Sequence, residues 1–184
     1  MQRSEHENDA AGARRADWER RVTEAWEGSD TYLATHGEAA FRERIGQLAA
    51  ELPAGDAAAD FERGCAFDST GLPERAVPLY ESALRAGLAG VRRRRALIQL
   101  ASSLRNLGRP EESVALLTPE LGGEPDPLDD AVRAVLALAL TDLGRAREGV
   151  AHVLTALAPH LTRYQRSMAN YAHLLVADAD RVDS

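Results

Sequence analysis

STGLPERAVPLYESAL (69–84), RNLGRPEESVALLTPEL (105–121) and TDLGRAREGVAHVLTAL (141–157) are three versions of one phrase. Each has a glycine turn, a charged first helical turn and then apolar residues at helical spacing. Gly71, Gly108 and Gly144 are 37 and 36 residues apart, and a fixed period of roughly 20–50 residues marks a stacked repeat architecture. The spacing predicts a helix before each glycine, over 57–68, 91–107 and 127–143, and one after it, over the segments starting at Pro73, Pro110 and Ala146. Proline at the first helical position loses no hydrogen bond, so Pro73 and Pro110 mark helix starts.

Composition agrees with close-packed helices. Hydrophobic residues make up 45% of the 184, enough for one core, while aromatics are only 5% and Ala and Leu dominate. All 22 basic residues are arginine, a coding bias that points to a bacterial source. A net charge of −7 counts against a surface built for nucleic acid or anionic lipid. The single Cys65 cannot form an intramolecular disulfide, the amino terminus lacks an apolar signal core, and the run 134–140 is too short to span a membrane. These features predict a cytoplasmic protein without membrane attachment.

Working outward, residues 1–13 show no periodicity and read as a disordered leader. Trp18, Val22 and Trp26 recur at i, i+4 and i+8 and predict a short amphipathic helix over 14–27. It either docks on the open end of the stack or binds another chain. Gly28, Ser29 and Asp30 then break the helix and 32–37 connects to a helix over 38–52, with Phe41, Ile45, Leu48 and Leu52 on its core face. At the other end a last helix over 160–178 carries Leu161, Tyr164, Met168, Tyr171, Leu174 and Leu175, and its outer face is expected to be polar enough to end the core. The organisation is therefore a leader and short helix (1–36), a solenoid (37–178) and a tail (179–184).

The repeats resemble the tetratricopeptide repeat family. Its pattern of small and large residues is matched by Gly64, Phe67, Gly71, Ala76, Tyr80 and Ala83. The second repeat has Ala101, Leu104, Gly108, Ser113, Leu117 and Glu120 at these places, and the third has Ala137, Leu140, Gly144, Gly149, Val153 and Ala156. The resemblance implies an all-α right-handed solenoid of about three helical hairpins with flanking N-terminal helices and a C-terminal capping helix. It also implies a concave groove, made by the first helix of each hairpin, that holds peptides or proteins, and it implies no enzyme. Relatives that clamp a C-terminal carboxylate use Lys and Asn where this chain has Phe61, Cys65, Gln99, Ala131 and Val135, so that clamp is absent.

In this register the groove presents Asp68, Ser69, Gln99, Ser102, Arg105 and Asn106, with Arg163, Arg166 and Asn170 added from the last helix. Amides and guanidinium groups hold a peptide backbone or a carboxylate without reading side chains; the alternative is that they satisfy helix ends and one another. The run Arg92–Arg95 fans around its helix and makes no single patch, and cations at a helix start call for nearby carboxylates, such as the acidic loop 124–130. The five histidines include no i, i+4 pair, and the chain has no phosphate loop and no nucleophile elbow. Cys65 reads as a small packed residue. No metal, cofactor or catalytic residue is therefore expected. The leading expectation is a protein- or peptide-binding module, and the competing one is a structural homodimer formed through exposed end helices.

Overall fold

The structure, a computed structural model, describes the backbone of residues 2–123 and 125–177 and side chains from Ala10 onward. Glu124 of the acidic loop and the tail 179–184 lie outside the described residues. Among the described residues, nine α-helices follow in chain order: α1 (Gln2–Glu27), α2 (Ser29–Ala50), α3 (Ala57–Asp68), α4 (Pro73–Arg85), α5 (Gly90–Asn106), α6 (Pro110–Leu117), α7 (Asp129–Asp142), α8 (Ala146–Leu157) and α9 (Gln165–Ala177). Short 3-10 turns at Thr118–Gly122 and Ala158–His160 extend α6 and α8. No strand occurs among the described residues. Each helix packs on the next, α3 also touches α5, and α5 also touches α7. This is an all-α helical-repeat solenoid.

The three repeat glycines set the hairpins. Gly71, Gly108 and Gly144 have φ values of 74°, 75° and 75°, in the left-handed region that side chains with a Cβ rarely adopt. Around each, the same two bonds close the helix: Leu72 N–H to Phe67 O (3.0 Å), Arg109 N–H to Leu104 O (3.0 Å) and Arg145 N–H to Leu140 O (2.8 Å), each with the glycine N–H bonded three residues back. That is the Schellman ending, which satisfies carbonyls the helix leaves orphaned. Proline then opens α4 and α6 at the expected positions.

Small residues sit where helices within a hairpin approach most closely. A Cβ on Gly64 would fall 2.8 Å from the Tyr80 ring, and one on Gly149 would fall 2.8 Å from the Ala137 carbonyl oxygen. The equivalent Ala76 and Ser113 are fully buried. Between repeats, larger residues fill the core. Phe61, Tyr80, Ala96 and Leu100 join α3, α4 and α5, and Ala101, Leu117, Val132, Leu136 and Leu140 join α5, α6 and α7.

The amino-terminal region differs from the sequence expectation. α1 begins at Gln2 rather than near residue 14; residues 2–13 include three Ala, two Glu, one Gln and one Arg, which favour helix without needing an apolar stripe. The segment 32–37 is not a connector: α2 starts at Ser29 and bends at Gly37 (φ 80°), and Tyr32 and Leu33 pack against Ala25, Phe41 and Ile45. The two tryptophans dock in cis. Trp18 is 2% exposed and its indole N–H donates to Leu48 O at 2.8 Å, while Val22 and Ala58 complete the same cluster.

The carboxy-terminal end also differs. The last helix starts at Gln165, not near residue 160, after a turn in which Tyr164 has φ 69°. Its outer face is mixed, with Tyr171 (52%) and Leu174 (50%) exposed beside exposed Arg166, Asn170 and His173.

Candidate interaction face

Helices α3, α5 and α7 are the first helices of the three hairpins and lie side by side. On α5, Arg95, Gln99, Ser102 and Asn106 stand at i, i+4, i+7 and i+11 and share one stripe. Gln99 is held in place by the Cys65 thiol, which donates to its Oε1 at 3.3 Å. Arg95 is stacked over the Phe61 ring at 5.3 Å. Among the described residues, Ser102 and Asn106 have no side-chain hydrogen bond within the chain. The matching stripe of α7 is apolar at Ala131, Val135 and Leu138 and ends on Asp142, with Val135 half-buried and Leu138 50% exposed.

Other predicted site residues have partners. Asp68 accepts from Ser103 Oγ at 2.8 Å and from the Tyr80 hydroxyl at 3.3 Å, tying α3 to α4 and α5. Burial pushes its carboxyl above the usual range, against the lowering effect of those two bonds. Arg105 Nε lies 2.6 Å from Asp142 Oδ2, and Nη2 donates to Oδ1 at 3.2 Å, so this pair links the ends of α5 and α7. Ser69 is exposed, with its hydroxyl turned to the Ala66 carbonyl. Arg163 stands in the turn before α9, and Arg166 and Asn170 are exposed on α9. α9 packs on α8 without touching α7, so those three are not brought beside the α5 stripe.

The four arginines at the start of α5 disperse. Arg92 donates to Glu62 Oε1 from Nε (3.1 Å) and to both Glu19 oxygens from its terminal nitrogens (2.9 and 2.6 Å). Arg93 forks onto Glu120 at 3.2 and 2.9 Å. Arg94 binds Glu120 Oε2 (2.7 Å) and Asp129 Oδ1 (2.6 Å), with Asp126 3.2 Å from its Nε. The expectation that the acidic loop answers these cations holds for Asp126 and Asp129.

The network around Glu62 was not anticipated. Glu62 is 2% exposed and takes the Trp26 indole N–H at 2.8 Å on Oε2 and Arg92 on Oε1. Its signal in the sequence was a carboxylate inside the apolar stripe of Phe61, Cys65 and Ala66. Cys65 itself is 2% exposed, and burial, followed by the Glu62 charge, pushes its thiol up to about 12. A thiol in that state is a packing group, because the thiolate is the reactive form. A cleft of ≈ 790 Å³ opens between α1 and the α2–α3 connection. Its carboxylates Asp56 and Glu51 are taken by Arg15 and Arg21, which makes it a seam of the fold.

The tetratricopeptide repeat family model matches residues 57–175. The chain belongs to the tetratricopeptide repeat family. Comparison with curated proteins and with solved structures gave no match. Membership agrees with the hairpins: the match starts at α3 and runs through most of α9. Tetratricopeptide repeats generally serve as protein–protein interaction scaffolds and are generally non-catalytic. Among the described residues, no helix is long and apolar enough to cross a membrane.

Proposed function

We propose that this tetratricopeptide repeat chain is a non-catalytic scaffold that binds a protein segment along the face of α3, α5 and α7. The observation carrying the reading is the contrast between neighbouring stripes. Ser102 and Asn106 on α5 offer side-chain hydrogen-bonding groups that no other described residue uses, and Val135 and Leu138 on α7 offer an apolar wall. An extended peptide with an apolar side chain suits that pairing, since amide and hydroxyl groups bind backbone without selecting sequence. Arg105, already paired with Asp142, orders the end of the groove and is available to a ligand carboxylate only by exchange. Asp68 and Gln99 brace the wall and Ser69 extends it at the end of α3, while Arg163, Arg166 and Asn170, which lie away from the α5 stripe, take no part.

The test is affinity capture from the native host with the wild type beside Ser102→Ala/Asn106→Ala, Arg105→Ala/Asn106→Ala and Leu138→Glu variants. The reading expects a defined protein held by the wild type and lost by at least Leu138→Glu and one double variant, with unchanged thermal melting. Equal retention by all four proteins overturns it.

A further inference from the structure

Of the five arginines in α5, four are engaged by carboxylates: Arg92, Arg93 and Arg94 at the start of the helix, and Arg105, with Asp142, at its end. Arg95 has no carboxylate partner among the described residues, and it is exposed on the stripe it shares with Gln99, Ser102 and Asn106. Its guanidinium lies over the Phe61 ring at 5.3 Å, a contact that engages the flat face and leaves the N–H edge open. Glu62 is close enough that its charge and that of Arg95 both act on the Cys65 thiol. Its oxygens are taken, however, Oε1 by Arg92 and Oε2 by the Trp26 indole.

Gln99, one turn further along, adds to this. The Cys65 thiol donates to its Oε1, so the acceptor end of the amide is occupied, and its two N–H groups have no acceptor among the described residues. One turn of α5 therefore sets guanidinium N–H groups and an amide NH2 side by side, donors without acceptors. At the repeat shifts of 37 and 36 residues, the positions equivalent to Arg95 are Ala58 and Ala131. Both are small and uncharged, so the flanking helices place no counter-ion there.

We propose that Arg95 sets the specificity of the groove by taking the side-chain carboxylate of a Glu or Asp in the bound segment, with Gln99 donating beside it. The proposal rests on the groove reading and names the partner's chemistry, an extended acidic segment that also carries an apolar residue. A carboxylate meets a guanidinium edge bidentately, and such a charge-assisted pair is stronger than the neutral contacts of Ser102 and Asn106. The carboxylate belongs to a side chain and not to a chain end. α5 is the middle one of the three first helices, so a segment crossing α3, α5 and α7 has residues on both sides of Arg95. With packed helices roughly 10 Å apart and an extended chain advancing about 3.3 Å per residue, the apolar residue seated at Val135 and Leu138 falls about three positions from the acidic one. The net charge of −7 gives an acidic partner no attraction at long range, which leaves its selection to this contact.

Panning a random-peptide phage library on the full chain, followed by fluorescence anisotropy of the selected peptides, tests the proposal. The wild type is expected to enrich sequences with Glu or Asp about three residues from an apolar side chain. Arg95→Gln, or replacement of the acidic residue of the peptide by its amide, should weaken binding about tenfold. The two changes together should cost no more than either alone. Arg95→Glu should instead select Lys or Arg at that position. Circular dichroism melts check that the variants fold, and the Arg95→Gln comparison decides the matter if Arg95→Glu does not. If no peptide is selected, or if the selected peptides bind Leu138→Glu as tightly as the wild type, the groove reading falls and this proposal with it. If the peptides are lost on Leu138→Glu but carry no acidic residue, or if the two losses add, this proposal alone is overturned.

Discussion

Arg92 on α5 reaches past α3 to grip Glu19 on α1 with both terminal nitrogens, at 2.9 and 2.6 Å, joining residues 73 apart in sequence. The same guanidinium holds the buried Glu62 and lies 5.6 Å from the Trp18 ring centroid. One side chain therefore ties the amino-terminal hairpin to the repeats.

Replacing Arg92 by methionine keeps most of the stem and removes the charge. It leaves Glu62 buried with only the Trp26 indole as partner, and stranding one member of a buried pair costs about 3 kcal/mol. Chemical denaturation should show that loss, and hydrogen exchange should show α1 opening before α5. Exchange of α1 no faster than in the wild type would mean that the tryptophans alone hold it.

The repeat glycines should resist substitution in order of surroundings. Gly108→Ala meets no neighbouring atom but forces a φ of 75° on alanine, at a cost of about 1–2 kcal/mol. Gly64→Ala meets the Tyr80 ring at 2.8 Å and, in a packed core, should cost about 1–3 kcal/mol. Tyr80→Leu should partly rescue the second variant and leave the first unchanged, as thermal melts of the four proteins would reveal.

Ser113 is fully buried and its hydroxyl has no hydrogen-bond partner. Ser113→Ala removes that unmet group at nearly constant volume, and should stabilise the chain by about 1 kcal/mol. Urea midpoints measure it, and a loss of stability would reveal a hidden partner for the hydroxyl.

Two carboxylates give opposite pH signatures. Glu120 is held below its ordinary 4.5, first by the Arg93 hydrogen bond and then by Arg94, against burial. Its folded value lies below its unfolded one, so its contribution is complete above about pH 4.5 and is lost as pH falls through the folded value. Asp68 is raised above 3.8 by burial, so its ionisation weakens the fold as pH rises through that raised value. Asp68→Asn keeps an acceptor for Ser103, and should be more stable than the wild type at pH 7, with the advantage vanishing in acid. A pH-independent difference in urea midpoint would show that the carboxylate's charge is not the cause.

Cys65 should alkylate slowly. With its thiol pushed up to about 12 and 2% exposed, iodoacetamide at neutral pH should label it far more slowly than free cysteine, until denaturant is added. Labelling at the free-thiol rate in the folded protein would place it at a surface.

The hairpins were legible in the sequence because their determinants are local. A glycine at left-handed φ, a proline at a helix start and apolar residues three and four apart act over one or two turns of chain. The errors have local causes too: the leader is helical without an apolar stripe, and Tyr32 and Leu33 read as connector because the bend at Gly37 interrupts the helical spacing that would join them to Phe41 and Ile45. On the candidate face, helical spacing puts Gln99, Ser102 and Asn106 on one stripe of α5, but no spacing rule could say that Arg105, expected beside them, pairs with Asp142.

The sequence by itself determined the stack: its period, its turns, and which residues share each helix face. Tertiary structure decided what each face meets. It sent the four neighbouring arginines of α5 to carboxylates on α1, α3 and the α6–α7 connection and to an aromatic ring. It buried Leu117 and left Val153, its counterpart one repeat later, 45% exposed. A helix fixes the direction of its side chains within one turn, whereas burial depends on whether another element, 20 to 70 residues away by sequence, is placed against that side.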